Sequence, residues 1–453
     1  MERLGDIMND LENAFTTIRN KRANLDLLFS YVLGPQPLKY STQRLAEAFE
    51  NINTHFDLNW MSVVVDSTLD RIQLTGFDTQ EEASNDKLAI LFDKLHLDIE
   101  ADKAHFASLS TSQGYIIVWK NAETVEAYYN DPRLCAVFYD PANPNKKTYA
   151  AKWFNRADGT QEITLYYTDR LEHWVSTKVQ TGTSVDKSSA FVLEVTETNP
   201  YGVIPVFELK SAGEIFKVTS LQDAENKLFS DMMIAAEFGA YVQRYVISNS
   251  DPGSLKNAPN EIWWIPSGDG AGQQSSVGQF NPTQLNNYLD AMDKIANAIA
   301  IITRTPKHYF MTTGASISGE ALLAMESPLI KKCQKRQREF GAQWQDIAQF
   351  MLQLEGVKVE SSDIWVLWER TESIQPKTEA ETRQLAVNTG IPLVTVLRRE
   401  GWGEDEIAAM QDDQKLMDKA KQTVAQAVLN VLRIRQQQEN PQDNQLEQDN
   451  GQQ

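Results

Sequence analysis

Cysteine is nearly absent from this chain. The two thiols in 453 residues, Cys135 and Cys333, make no disulfide framework and suit a reducing cytoplasm. Histidine is scarce too: His55, His96, His105, His173 and His308 are scattered, without the short spacings of metal ligands. Long apolar runs are missing. Stretches such as Ala298-Ile299-Ala300-Ile301-Ile302 stop far short of the ~20 residues that cross a bilayer, and the start Met1-Glu2-Arg3-Leu4-Gly5-Asp6 is not a signal peptide. Positive charge is also in deficit. With 43 Lys and Arg against 62 Asp and Glu, the formal charge is −19, which argues against a protein that simply coats nucleic acid.

The common catalytic signatures fail in turn. No Gly-x-x-x-x-Gly-Lys-Ser/Thr loop occurs, and Gly268, Gly270 and Gly272 do not make a dinucleotide fingerprint. Gly314-Ala315-Ser316-Ile317-Ser318 misses the nucleophile elbow at its last glycine. Carboxylates are too numerous for any pair to stand out. The chain is therefore read as no enzyme, with no cofactor and no metal. A catalytic α+β protein whose site is assembled from distant residues is the competing class.

What is present is enough core for several domains: 42% of residues are apolar and ten are Trp. Helical periodicity covers Ile7 to Ser30, closed by Gly34-Pro35-Gln36-Pro37, then Thr42 to Glu50 and Asn59 to Arg71, ending at a Leu74-Thr75-Gly76-Phe77 turn. Thr79 to Leu97 and Asp98 to Ser110 read as two more helices. From Gly114 the period shortens to two. Tyr115–Trp119, Cys135–Tyr139, Thr148–Phe154, Glu162–Tyr167, His173–Val179 and Phe191–Val195 predict one small antiparallel sheet, which closes at Asn199–Val206. Helices return over Val218–Ile247 and Thr283–Thr303. Between them, Pro, Gly and Ser surround one apolar strand, Glu261-Ile262-Trp263-Trp264-Ile265-Pro266. Trp263 and Trp264 have little local core to enter, so they mark a subunit boundary or docking surface, or else one of them is buried in a local hairpin.

The most informative stretch runs from Thr305 to Gly356. A loop, Thr305 to Ile317, feeds an amphipathic helix capped by Ser318, with Glu320 facing the positive end of its dipole. Apolar residues recur at Leu322, Met325, Leu329, Cys333, Phe340, Trp344, Ile347, Met351 and Leu354. Pro328 lies inside this pattern and either kinks the helix near Ala324 or starts a second helix capped by Ser327. Lys331, Lys332, Lys335, Arg336 and Arg338 form the densest basic cluster, ordinarily a solvated face. After Gly356 come a strand at Ile364–Trp368, a linker, and helices at Lys377–Asn388, after Gly390-Ile391-Pro392, and at Glu404–Arg435. The Gln-, Asn- and Asp-rich tail, 436–453, is expected to be disordered.

Pro306-x-x-Tyr309, the Gly-containing loop, Ser318-Gly319-Glu320-Ala321-Leu322, Glu326-x-x-Leu329 and Arg336-x-x-x-Phe340-Gly341 together resemble tailed-bacteriophage portal proteins. The Gly34-x-Gln-Pro turn, Asn199–Val206 and the Gly390-Ile391-Pro392 turn agree with that resemblance. It implies an α+β, mainly α, subunit divided into a wing (1–216), a stem helix (217–247), a clip (248–282), a second stem helix (283–304), a tunnel loop (305–317), a long central helix with a returning wing strand (318–372), a crown (373–435) and a tail (436–453). It further implies a dodecameric ring at a capsid vertex of the virion, assembled in the host cytoplasm. Double-stranded DNA would pass through without sequence specificity. The implied partners are the terminase large subunit, a head–tail adaptor, and the major capsid and scaffolding proteins, with no membrane.

In that reading Lys307, His308, Met311, Thr312, Thr313, Gly314, Ala315 and Ser316 belong to the tunnel loop. Lys307 and His308 are placed to touch phosphate, while Tyr309 and Phe310 anchor the loop base. Lys331, Lys332, Lys335 and Arg336 are candidates to approach the channel, and Trp263 and Trp264 are candidates for docking. Net acidity is compatible with a conduit, since an acidic wall discourages phosphates from sticking. A capsid-associated scaffold or adaptor that never encloses DNA is the remaining alternative.

Overall fold

The computed structural model describes residues 2–36, 58–121, 124–176, 187–240, 244–247, 276–281, 283–310, 319–372, 376–399 and 404–439. The chain divides into two compact units, Met1–Glu372 and Ser373–Gln453.

Helix α1 (Glu2–Leu33) joins two cores of the first unit. Leu11, Ala14, Phe15 and Ile18 recur on one helical face and enter a cluster with Trp153, Ile163, Leu165 and Phe191. Further along, Leu25, Leu28, Tyr31 and Val32 enter the main core. The helix stops at Gly34, whose φ of +104° lies in a region that a side chain would resist. Asn59 opens α2 (Trp60–Leu69): its Oδ1 accepts from the Ser62 backbone N–H at 3.4 Å, and its Nδ2 donates to the Val32 carbonyl at 2.7 Å. One side chain thus caps one helix and ties it to the end of another.

The expected Leu74–Phe77 turn is instead part of strand β1 (Leu74–Thr79), which pairs antiparallel with β12 (Ile364–Trp368), Phe77 opposite Val366. Its partner lies almost the length of the unit away in sequence, so no local pattern announces the strand. Helices α3 (Glu82–Lys94) and α4 (Leu97–Thr111) follow as expected, with somewhat different ends.

The single expected sheet is two sheets. β2 (Gln113–Asn121) lies between β3 (Thr124–Asn130) and β9 (Val206–Lys210), while β4 (Cys135–Asp140), β5 (Asn143–Asn155), β6 (Gln161–Tyr166), β7 (Arg170–Ser176) and β8 (Phe191–Thr198) form a meander. Tyr115, Ile117 and Val206 of the first sheet and Cys135, Ala150 and Leu171 of the second share one apolar cluster, so each sheet covers a face of the other.

Helices α5 (Thr219–Ala240) and α6 (Asn286–Thr303) flank a short ribbon. The helix expected to reach Ile247 ends at Ala240, and Arg244–Ile247 forms β10, paired with β11 (Ser276–Gln279). A Cβ at Gly278 would lie 2.3 Å from Cζ of Tyr245, so that part-exposed ring would have to turn aside to admit one. The strand expected at Glu261–Pro266 and the helix expected at Thr42–Glu50 lie outside the described residues.

The long helix α7 (Gly319–Leu354) is a single element of 36 residues with Pro328 inside it; no second helix starts at Ser327. At 1.5 Å per residue it reaches roughly 54 Å. Leu329, Cys333, Phe340, Trp344, Ile347, Met351 and Leu354 are buried as the periodicity predicts, but Met325 is exposed. The first turns run beyond the core that the rest of the helix crosses.

The second unit holds α8 (Pro376–Asn388), α9 (Leu393–Arg399) and α10 (Glu404–Glu439). Gly390, at φ +96°, ends α8; the Gly390 N–H donates to Val387 and the Ile391 N–H to Ala386. Gln436–Glu439, expected to be disordered, continue α10 as helix; the remainder of the tail lies outside the described residues.

Candidate functional site

The two chain ends that flank 311–318 are fastened to the body by separate sets of contacts. On the near side, α6 ends at Arg304, whose left-handed φ of 57° turns the chain out of the helix. A 3-10 turn over Lys307–Tyr309 follows. Phe310 packs edge-on against Trp60 of α2, ring centroids 5.8 Å apart. On the far side α7 begins at Gly319.

Tyr309 and α7 meet at Glu326. Nη2 of Arg71 donates to the Tyr309 hydroxyl at 2.9 Å and to Oε2 of Glu326 at 3.3 Å; the Tyr309 hydroxyl donates to Oε1 of Glu326 at 3.3 Å. Burial works to lower the Arg71 pKa, but Tyr309 and Glu326 outweigh it and raise it. Burial raises the Tyr309 pKa, with Arg71 opposing. The result is a neutral phenol between a fixed cation and a carboxylate. Tyr309 and Phe310 are both held against other elements, Tyr309 by Arg71 and Glu326 and Phe310 by Trp60.

A second set lies farther along α7. Lys332 donates through Nζ to the Thr303 carbonyl at 2.9 Å, at the negative end of α6. It also lies 3.4 Å from Oε2 of Glu214, whose Oε1 accepts from Nε of Arg336 at 2.8 Å. Arg336 reaches Glu339 as well, at 2.5 Å. Burial lowers the Lys332 pKa against the pull of Glu214; for Arg336 burial works the same way, but Glu214 and Glu339 prevail and raise it. Lys332 and Arg336 are thus buried and committed within the subunit, which corrects their placement among channel-facing residues. A lysine and an arginine with one carboxylate between them are held by internal charge balance, and their exit would strand Glu214. Lys331 and Lys335 are exposed, Lys335 within 3.6 Å of Glu339.

Lys307 is partly exposed and pairs with Asp293 of α6 at 3.2 Å. His308 stands edge-on to Tyr309, its Nε2 3.8 Å from Oε1 of Glu326. Met311, Thr312, Thr313, Gly314, Ala315 and Ser316, with Trp263 and Trp264, lie outside the described residues.

Three residues of this region were missed by sequence reasoning. Arg71 and Glu214 come from distant segments and carry no local signal. His105 stands in the sequence as one of five scattered histidines, without a motif around it. It is fully buried against α7, stacked on Phe340 with centroids 4.6 Å apart, and its Nε2 accepts from Nε1 of Trp344 at 2.9 Å. Burial drives its pKa down to about 3, so it is a neutral acceptor inside the core.

Among the described residues no group of three or more His, Cys, Asp or Glu is arranged to hold a metal, and no helix is long and apolar enough to cross a membrane. The contacts of Tyr309, Phe310 and Lys332 hold the backbone on either side of 311–318 in place.

Over 74 residues the chain is 35% identical to the portal protein of Mycobacterium phage D29 and, equally, to that of Mycobacterium phage L5. This stretch is 16% of the chain and covers only 15% of each relative. A solved structure titled "Virion of native gene transfer agent (GTA) particle" aligns over 78% of this chain and 90% of its own, at 12% identity and a TM-score of 0.44. Residues 19–426 match the family described as "Phage portal protein, SPP1 Gp6-like". With nearly the whole chain inside that match, the protein belongs to the SPP1 Gp6-like phage portal family.

Proposed function

We propose that copies of this chain close head to tail into a dodecameric ring at a capsid vertex of the virion, through which double-stranded DNA is packaged and later ejected. The observation that carries the reading is the family match over residues 19–426. Its work is mechanical, without catalysis by the chain itself. In this reading 1–216 with the β12 strand is the wing, α5 and α6 are the stem, 248–282 is the clip, 305–317 is the tunnel loop, α7 is the central helix, and 373–435 is the crown. The terminase large subunit and then a head–tail adaptor dock at the clip, where Trp263 and Trp264 supply the apolar contact. Major capsid and scaffolding proteins surround the wing, and assembly takes place in the host cytoplasm.

Large apolar side chains exposed on the single chain support a multi-subunit state. Leu289, Ile301 and Ile302 of α6 and Trp365 and Leu367 of β12 are all at least 44% exposed, Ile301 at 78%. A ring needs such surface on two different faces, because head-to-tail contacts join unlike patches. Native mass measurement and negative-stain microscopy of the full chain test the reading: large rings with a central hole are expected, and a monomer or dimer under every assembly condition would defeat it. Ile301→Asp is expected to reduce ring yield at least tenfold while leaving the chain folded by circular dichroism.

A further inference from the structure

We infer that Arg71, Tyr309 and Glu326 act as a clasp that positions the two chain ends of the 311–318 segment relative to each other and to the wing. The inference rests on the portal reading for the importance of that segment, but its own argument is geometric. Tyr309 is the second residue before the segment begins, and Glu326 lies two turns into α7 after the segment ends. Side chains from the outgoing and returning chain therefore meet directly, through a 3.3 Å hydrogen bond.

Arg71 makes this more than a local contact. It lies between α2 and β1, and its Nη2 touches both partners, at 2.9 Å and 3.3 Å. Its guanidinium also lies over the Tyr309 ring, 5.9 Å from the centroid. Both bonds come from one nitrogen, while Nη1 donates to the Ser67 carbonyl at 3.5 Å, a spread of donors that a lysine ammonium lacks. The side chains of Arg71 and Glu326 are only 14% and 12% exposed, so solvent screens the pair weakly. Arg71 is further held by its neighbours on α7: Gln337 donates through Nε2 to the Arg71 carbonyl at 3.3 Å. The Trp60–Phe310 contact adds an apolar stop on the outgoing side. Together these contacts make the separation of the two chain ends a property of the wing and leave it independent of the segment itself.

The test uses spin labels on the full chain at Lys307→Cys and Leu323→Cys, both at partly exposed positions, while the native Cys135 and Cys333 are buried. Labelled chains are diluted in unlabelled ones so that distances within one subunit dominate. The parent is expected to give one narrow distance. Tyr309→Phe and Glu326→Gln are each expected to broaden it at least twofold, and the double variant no more than the worse single one. Lys335→Gln, which breaks an exposed pair on the same helix, is expected to leave it unchanged. Should either clasp variant fold poorly, Arg71→Lys keeps the charge, loses the fork and is expected to broaden the distance too. Parent-like widths in the folded clasp variants would overturn the inference. Imaging the same samples separates the two readings: an absence of rings counts against the portal ring, whereas rings with unchanged distances count against the clasp alone.

Discussion

Glu214 and Glu225 are both buried carboxylates at or near the start of α5, yet they live in opposite electrostatic worlds. Glu214 sits between Lys332 and Arg336, each within hydrogen-bonding or ion-pairing distance. Neither oxygen of Glu225 has a hydrogen-bond partner among the described residues, and burial pushes its pKa up to about 8. Burial alone therefore does not settle how a carboxylate is accommodated: cations delivered by a distant helix pair with one, whereas the other meets no partner among the described residues and burial favours its protonated form.

The sharpest way to break this contrast is Glu214→Ala. It leaves the buried Lys332 without an anion and Arg336 with Glu339 alone, and is expected to cost about 3–5 kcal/mol in denaturant unfolding. A loss below about 1 kcal/mol would mean that the cations find water. Next in size is His105→Phe, which keeps the stack on Phe340 but strands the Trp344 N–H, at a cost of about 1–3 kcal/mol near pH 7. Its pH dependence has a definite sign. His105 stays neutral in the fold while its unfolded form takes a proton below about 6.5, so its contribution to stability falls as the pH drops from there toward about 3. The Phe variant should lose that part of the acid sensitivity.

Glu225→Gln sharpens the comparison from the other side. A folded-state pKa above the unfolded value means that the fold holds a proton the unfolded chain has released, so stability falls as pH rises from about 4.5 to about 8. The neutral amide is expected to match the parent at pH 5 and exceed it by on the order of 1 kcal/mol at pH 8. Equal melting curves at both pH values would show Glu225 to be paired in solution. Smallest is Lys335→Gln, which removes an exposed pair with Glu339 and is expected to change stability by under about 0.5 kcal/mol.

Much of the fold was legible because it is written in local period. The buried face of α7, from Leu329 to Leu354, follows directly from its three- and four-residue steps. Local period also has a clear limit. β1 looked like a turn because its pairing energy comes from β12, and two sheets looked like one because β9 joins β2 from the far side of the meander. The same limit governs the site. Tyr309 and Phe310 draw notice from their place beside the Gly-containing loop, but Arg71 does not, because nothing around it refers to residue 309.

Residue order is enough to place this protein in its class: a mostly helical α+β chain with a long amphipathic helix after a Gly-containing loop, and the motif set of the portal family. Tertiary structure alone decided which members of one basic run are surface charges and which are internal. Lys331 and Lys335 remain exposed while Lys332 and Arg336 meet Glu214 inside the unit. The physical reason is that helical period sets which side of α7 a residue occupies, whereas its charge partner must be brought there by another part of the chain.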